Sequence, residues 1–348
     1  MDKEIWAKPK VCSNVGGSAL IEGVMMRGQD RMAVSVRKSS GEIYTEVKEI
    51  TPWTKKNKFT KLPFVRGAVS LFESMVTGIK VLMDSAELLD LEEEEEKESK
   101  FEKWLQKKLG DNYMTFFLYG SVAIAFVFMI GVFMLLPNFI ADLTTNLIGY
   151  DTSTGRGGFA ANLIEGLVRI VIFVGYIILV SLNKDIKRVF QYHGAEHKTI
   201  YAYENGEELT VENVKKHTTL HPRCGTTFMF LVVMISIIVH ALTGWHNRFL
   251  NVVIRLAMVP VIAGISYEIL KFAARTDNKI VRALSIPGLM LQKITTKEPD
   301  ESMMEVAIAS LKAVVEEPSE EPAETPAENL AEKAENTDSV AEQNIDMR

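Results

Sequence analysis

The sequence predicts a membrane protein, mainly α-helical, with about four transmembrane helices, a small N-terminal α+β unit and a disordered acidic C-terminal tail. Three observations predict this class: four long apolar segments, an alternating stretch around residue 40 that precedes a helical pattern, and a final stretch rich in Pro, Glu and Ala. The average composition, with 24% charged residues and a net charge of −6, hides this division because charge and apolar content occupy different parts of the chain.

The apolar segments comprise residues 114–140, 163–182, 228–242 and 250–272. Each reaches, or can be extended to, the ~20 residues needed to cross a hydrocarbon core of ~30 Å. The third segment is short and extends back to Gly225, and the fourth carries Arg255 and Glu268. We therefore predict a four-span membrane domain over residues 114–272.

Basic residues predict the orientation of these spans. They are concentrated in the loop at 183–223 and after the fourth span, which by the positive-inside rule places both termini and this loop in the cytoplasm. The predicted location is the plasma membrane. The polar first ten residues do not resemble a signal peptide, and two cysteines, Cys12 and Cys224, favour a reducing compartment.

The predicted cytoplasmic parts flank the membrane domain. Residues 1–90 combine a β-hairpin, in which two alternating strands meet at Ser39-Ser40-Gly41, with an amphipathic helix at 63–90. The apolar face of this helix needs a protein partner, the protein core or lipid. Three further segments are an acidic linker with an interfacial helix, a cytoplasmic segment that ends in an amphipathic helix, and the disordered tail; they span 91–113, 273–316 and 317–348.

Four of the six histidines fall within the cytoplasmic loop at 183–223, and Cys224 follows it directly. His193 and His197 are spaced to share one face of a helix, and with Glu196 they form His-x-x-Glu-His, the inverted zincin motif. His221 and Cys224 add a second group with the spacing of ligands. Imidazole and thiolate both suit zinc, so the loop predicts a zinc site.

Three interpretations of this loop stay open. The histidines could bond only to lipid headgroups and backbone, they could close a structural zinc site with Cys224, or they could hold a catalytic zinc ion. Glu196 favours catalysis because hydrolysis needs a general base beside the metal. Glu268 is a further candidate ligand, with an ion pair at the interface as its alternative. As a straight continuation of the second span, a helix would carry His193 ~16 Å away from it, so the loop must fold back or lie along the surface.

Other polar residues within the spans are weaker candidates. We expect His240, Arg169 and Arg255 nearer the outer face, where snorkelling accounts for the arginines. The glycine-rich stretch at 16–28 precedes the hairpin, and with Arg27 it could bind an anion, although tight turns are the simpler explanation.

Several separated motifs resemble the bacterial YqhQ-type family: "GGSALIEGVMMRG", "PFVRGAVSLFESM", "YHGAEHKTIYAYE", "HPRCGTTFMFLVV", "SYEILKFAAR" and "PGLMLQKITTKEP". The resemblance extends from about residue 13 to residue 311. It implies a membrane protein of a family with no established activity, described as metal-dependent on the basis of the same His/Glu/Cys pattern. The acidic run and the Pro/Glu tail resemble additions to the family pattern.

The sequence thus predicts an integral membrane metalloprotein, a zinc-dependent hydrolase at the cytoplasmic membrane surface. Glu196 is the predicted general base, and Arg223 and Arg27 the predicted substrate-binding residues; the predicted metal ligands are His193, His197, His221, Cys224 and Glu268. The alternative is a non-enzymatic assembly or scaffold protein with a structural metal or none. Expected partners are membrane lipids and a protein that contacts the helix at 63–90, and nothing in the sequence indicates nucleic acid.

Overall fold

The computed structural model describes residues 3–6, 10–11, 15–88, 113–273 and 279–315. Four strands precede the helices in these residues: β1 Gly16–Leu20, β2 Gly23–Arg27, β3 Arg31–Arg37 and β4 Ile43–Glu49. The helices are α1 Val65–Leu88, α2 Tyr113–Ile130, α3 Leu136–Leu147, α4 Gly155–Val180, α5 Lys184–Glu204, α6 Val211–Val214, α7 Gly225–Thr243, α8 Arg248–Ala273, α9 Lys279–Thr295 and α10 Glu301–Val315.

The N-terminal unit is built on a four-stranded antiparallel sheet in the order β1-β2-β3-β4. The predicted hairpin is confirmed as β3 and β4, with Arg37 opposite Ile43. The glycine-rich stretch, expected to form turns, instead contributes two strands, and the tight turn between them puts Glu22 at φ 49°. The sequence of β2 does not alternate between apolar and polar residues because the strand is covered on both faces. Its residues Gly23, Val24, Met25 and Met26 are all buried.

Helices α1 and α10 pack on this sheet, and α5 adjoins β1 and β2. Val81 of α1 joins a core with Met25, Val34 and other buried strand residues. Ser310 of α10 donates a 3.1 Å hydrogen bond to the Ala33 carbonyl in the middle of β3. Burial of such apolar side chains contributes about 1.5–3 kcal/mol each relative to exposure, so the sheet is held by packing from two sides.

The predicted helix at 63–90 is confirmed as α1, with part of its apolar surface left open. Phe72 is 59% exposed, and Met75, Val76, Ile79 and Leu82 are each more than 40% exposed. A bidentate ion pair between Arg66 and Glu268 ties the start of α1 to α8. The helix therefore bridges the sheet and the apolar helices.

Among the described residues, four helices are long and apolar enough to cross a membrane: Gly120–Leu147, Gly155–Val180, Gly225–Thr243 and Phe249–Phe272. The second begins eight residues before its predicted start at 163, because small and polar residues open it and Thr154 caps it by accepting a 3.1 Å hydrogen bond from Gly157. The first passes through a π-helical turn at Gly131–Leu135. These helices are compatible with a multi-pass membrane protein.

The expectation that the arginines in the spans snorkel is wrong. Arg169 is 8% exposed and Arg255 only 2%, and both bond to the carboxylate of Glu165 inside the helix bundle. Pairing removes the need to reach water, because a buried charge is tolerated when an opposite charge bonds to it.

The predicted loop at 183–223 is largely helical. It consists of α5, the single turn of α6 and a connecting segment that leads to Cys224. The predicted linker at 91–113, apart from its last residue, and the predicted tail at 317–348 lie outside the described residues, as does Cys12.

Candidate metal centre

The helix α5 carries the His-x-x-Glu-His motif and begins after a short break at the end of α4. Only residues 181–183 separate the two helices, and the side chain of Asn183 caps α5 by accepting hydrogen bonds from the amides of Asp185 and Ile186. Because of this break, α5 does not carry His193 away from the third span as a straight continuation of α4 would. It brings His193 beside Cys224, the residue that caps α7.

Three side chains converge at this point. His193 Nε2 lies 3.2 Å from Cys224 Sγ, and the rings of His193 and His197 are 4.5 Å apart between centroids. One ligand atom from each of His193, His197 and Cys224 lies within 4.8 Å of the others. Zinc–ligand bonds of about 2.0–2.3 Å in a tetrahedron put ligand atoms roughly 3.3–3.8 Å apart, so the group suits a metal ion after small adjustments.

Backbone carbonyls fix the orientation of both rings. His193 Nδ1 lies 2.9 Å from the Thr295 carbonyl oxygen, and His197 Nδ1 lies 2.5 Å from that of Thr219. A carbonyl oxygen can only accept, so each Nδ1 must carry the proton and each Nε2 in the neutral ring offers a lone pair. Metal-binding histidines in proteins are held in this way by an acceptor behind the ring.

Two buried polar atoms at this point have no hydrogen-bond partner among the described residues. They are Nε2 of His197, a residue that is 1% exposed, and Oε2 of Glu196, which is 4% exposed. Buried polar atoms are nearly always satisfied, because an unmet one costs about 1–3 kcal/mol. A metal ion beside His197 Nε2 and a water molecule beside Glu196 Oε2 would satisfy both atoms, so the residues present fit a metal site.

The glycine-rich strand β1 encloses Glu196. A Cβ atom at Gly17 would lie 2.9 Å from Cδ of Glu196 and 2.7 Å from the Met25 carbonyl oxygen, so a side chain there would displace the carboxylate or the neighbouring strand. The Gly17 amide also donates a hydrogen bond to this carboxylate. The stretch at 16–28 thus lies against the candidate metal centre, and the absence of a side chain at Gly17 allows this close backbone approach.

The pKa values of Cys224, His193 and Glu196 depend on one another's charges and on their burial. Burial alone would raise the pKa of the Cys224 thiol, but His197 and His193 outweigh it and hold that pKa well below its ordinary value. Burial alone would lower the pKa of His193, yet the adjacent Cys224 thiolate raises it to about 9. Burial raises the pKa of Glu196, and the two histidines oppose that rise.

His221 lies near the cluster but outside it. Its ring is 5.6 Å from that of His197 between centroids, its Nδ1 accepts a hydrogen bond from the Arg223 amide, and its Nε2 is 3.7 Å from a carboxylate oxygen of Glu204. Burial lowers the pKa of His221. Its backbone is anchored by Gln292, whose side chain bonds to both the N–H and the carbonyl of His221.

The other three predicted site residues, Glu268, Arg223 and Arg27, form ion pairs. Glu268 accepts both hydrogen bonds of Arg66, which is the ion-pair alternative given for it, and does not join the cluster. Arg223 pairs with Glu204, so it lies beside His221. Arg27 pairs with Glu73 of α1, at the far end of the strand pair from Glu22.

A cavity of about 600 Å³ opens beside the cluster. His193 and Cys224 lie in its wall, and most of the remaining lining is apolar, with Leu71, Phe190 and Met229 among it. The lining comes from β1, α1, α5, α7 and α8. A ligand in this cavity would meet His193 and Cys224 at one side and a mostly apolar wall elsewhere.

Sequence reasoning missed several residues of this site. Gly17 and the carbonyls of Thr219 and Thr295 carry no chemical signal in one sequence, because their role depends on where the chain folds back. Outside this site, Glu165 was also missed but could have been found, since it precedes Arg169 by one helical turn inside an apolar span, where an acidic residue is costly without a partner.

Together these features are those of a multi-span membrane protein with four span-like helices, a small N-terminal sheet and a His/His/Cys group at the end of one such helix, in which His197 is buried and His193 and Cys224 are half-buried. The chain belongs to the family described as "Protein of unknown function (DUF1385)", which matches residues 62–317. It is 36% identical over 312 residues to the uncharacterized protein YqhQ of Bacillus subtilis (strain 168), covering 89% of this chain and 94% of that protein. The YqhQ-type resemblance is thereby confirmed. No solved structure matches the chain.

Proposed function

We propose that this protein is a membrane metalloenzyme, a zinc-dependent hydrolase with His193, His197 and Cys224 as its metal ligands. The observation that carries the proposal is the pair of Nδ1–H groups held by backbone carbonyls, which leaves both Nε2 atoms facing one point: that of His197 without a partner among the described residues, and that of His193 3.2 Å from the Cys224 sulfur. Three protein ligands are typical of catalytic zinc, which keeps a fourth position open, whereas structural zinc has four.

A zinc ion held by this set would supply Lewis-acid activation of water and of a substrate carbonyl or phosphoryl group. Glu196 is the general base. Its carboxylate is buried, its Oε2 has no partner among the described residues, and burial raises its pKa, which brings the carboxylate closer to the basicity needed to take a proton and return it to a leaving group. The Gly17 amide holds the carboxylate from behind.

The substrate is an amphiphile of the membrane. The cavity beside His193 and Cys224 is largely apolar and is walled by helices that include two of the apolar spans, so a hydrocarbon chain fits it while a reacting polar group meets the metal ligands. The same lining would disfavour a fully hydrated substrate, since burial of polar groups without partners is costly.

The test compares Glu196→Gln with the matched variant Glu212→Gln, which changes an exposed glutamate outside the site. Each variant replaces the chromosomal copy, and untargeted mass spectrometry of membrane extracts is compared with wild type and a deletion. We expect Glu196→Gln to keep its zinc and to accumulate the same unprocessed compound as the deletion, because loss of a general base slows a reaction by about 10²–10⁴-fold.

A different result would favour the scaffold alternative. If the extracts of Glu196→Gln match wild type while His197→Ala removes the folded protein from the membrane, the metal is structural and the hydrolase proposal is wrong.

A second candidate function uses Cys224 itself as a nucleophile. The thiolate caps the first turn of α7, accepts a 3.5 Å hydrogen bond from the Thr226 amide and faces His193, which is the environment of reactive cysteines. Iodoacetamide labelling of a Cys12→Ser protein separates the two functions. A zinc ligand is protected by zinc and released by a chelator, whereas labelling of a nucleophile is unaffected by either.

A further inference from the structure

A second group of buried polar residues lies within the helix bundle, apart from the metal centre. Arg255 donates to both oxygens of Glu165, and Arg169 donates to Glu165 at 2.5 Å. Arg169 also contacts Ser236 at 3.3 Å and His240 Nδ1 at 3.4 Å. Glu165 is 1% exposed and Arg255 2%.

This group lies well inside the membrane domain. Arg169 follows the first residue of α4 by fourteen positions, which is about 21 Å along a helix of 26 residues. Its Nε donates at 3.2 Å to the carbonyl of Phe133, in the π-helical turn between α2 and α3. Such turns present backbone carbonyls that a regular helix would keep for itself, and they are frequent at functional sites.

The charges in the group do not cancel. Two guanidinium groups share one carboxylate among the contacts that the structure describes, which leaves one positive charge in a region of low dielectric. A charge in a span is costly and marks a functional site when no partner neutralises it. The uncompensated charge of this group is positive, so a partner that neutralises it must be an anion.

A cavity of about 700 Å³ adjoins these residues. Arg169, Arg255 and His240 line it, and nearly all of the remaining lining is apolar, from α1, α2, α4, α7 and α8. His240 is 5% exposed, and its Nε2 is buried without a hydrogen-bond partner in the described part of the chain. The polar end of the cavity therefore offers excess positive charge and an unmet imidazole nitrogen.

The apolar end of this cavity reaches the lipid-facing surface. Phe128 and Val259 line it and are 64% and 45% exposed on helices that are long enough to span a membrane. Leu71, Met229 and Val232 also line the cavity beside the metal centre. A hydrocarbon chain could enter from the lipid side and extend toward that centre without leaving apolar surroundings.

We propose that the cavity at Arg169, Arg255 and His240 binds an amphiphile with a single anionic headgroup, a phosphate or a carboxylate. The headgroup accepts hydrogen bonds from the guanidinium groups and from His240, and its hydrocarbon chain lies along the apolar lining. The proposal does not depend on the zinc hydrolase, because the residues that carry it are separate from His193, His197 and Cys224.

Native mass spectrometry of the full chain in detergent tests this assignment. The probes are dioleoyl phosphatidate, dioleoyl phosphatidylcholine with the same chains, and inorganic phosphate. Arg169→Gln removes the excess charge but leaves the Glu165–Arg255 pair in place. Arg156→Gln is the matched control, since it removes the same charge from the exposed first turn of the same helix. Ala263→Phe fills the cavity from a lining residue that is 1% exposed, and it leaves every charged side chain unchanged.

We expect wild type to bind phosphatidate roughly tenfold or more tightly than phosphatidylcholine, as hydrogen bonds to a charged group imply. Arg169→Gln and Ala263→Phe should lose this preference, and Arg156→Gln should keep it. Should Arg169→Gln fail to fold, Ala263→Phe alone decides.

Three results would overturn the proposal. The first is an equal preference for phosphatidate in the wild type and in Ala263→Phe. The second is a loss of preference in Arg156→Gln as large as that in Arg169→Gln. The third is displacement of phosphatidate by inorganic phosphate at equal concentration, which would identify a soluble anion as the ligand.

Discussion

Gly194 lies between His193 and His197, the two proposed metal ligands, and its replacement by alanine should disturb the proposed metal centre without changing a ligand. A Cβ at this position would lie 2.0 Å from the Lys297 carbonyl oxygen and 3.2 Å from its carbonyl carbon. A carbon and a carbonyl oxygen approach to about 3.3 Å at the closest, so α5 and the segment after α9 must separate by roughly 1 Å or more.

That separation should lower both the stability of the fold and the affinity for metal. Overpacking of a buried contact costs about 1–3 kcal/mol, which lowers the unfolding temperature. It also pulls the Thr295 carbonyl away from His193 Nδ1, now 2.9 Å away. Loss of an acceptor behind a ligand typically lowers metal affinity by about 10–100-fold. We expect both losses in Gly194→Ala, measured by thermal unfolding in detergent and by competition with a zinc chelator.

Gly175→Ala is the matched control. Gly175 lies inside α4, and a Cβ atom at this position would meet no described atom within 4 Å. Alanine there should therefore stabilise the helix by about 0.5–1 kcal/mol and leave zinc affinity unchanged. An unfolding temperature and a zinc affinity of Gly194→Ala equal to those of wild type would refute the packing of α5 against residue 297.

Three further outcomes follow from the described contacts. Glu165→Gln leaves two buried guanidinium groups without a carboxylate, so it should destabilise the protein by about 3–5 kcal/mol in thermal unfolding. The control Glu305→Gln, at an exposed ion pair, should cost about 1 kcal/mol or less. Equal destabilisation by the two variants would contradict the buried network. In metal-free Cys12→Ser protein, the rate at which iodoacetamide modifies Cys224 should persist as pH falls, because the lowered pKa of Cys224 keeps it as the thiolate. His193→Ala should shift this pH profile to higher pH. An unchanged profile would contradict the His193–Cys224 pair. Glu268→Gln should keep its full zinc content, as Glu268 pairs with Arg66, and loss of zinc would return it to the ligand set.

The fold could be predicted where the pattern is local. Long apolar runs identify the four span-like helices, and alternation around a Ser-Ser-Gly turn identifies β3 and β4, because both signals depend on near neighbours. The strands β1 and β2 were missed because β2 is covered on both faces and β1 is rich in glycine. Their identity depends on α1, α5 and α10, which are distant in sequence.

The candidate site shows the same limit. The spacing of His193 and His197 predicts a shared helical face, and the structure brings Cys224 to it. The placement of Glu268 could not be read from its position in a span, because Arg66, about 200 residues earlier, decides it. The two arginines of the bundle resemble snorkelling residues until the position of Glu165 is known.

The central claim is that His193, His197 and Cys224 bind one metal ion, and metal content tests it most directly. The protein is purified in detergent without chelators and analysed by inductively coupled plasma mass spectrometry, beside His193→Ala/His197→Ala and the control His221→Ala. We predict about one zinc per chain in wild type, loss in the double variant and retention in His221→Ala. Wild-type protein without bound metal, or equal zinc in the double variant, would contradict the metal centre and with it the proposed hydrolase.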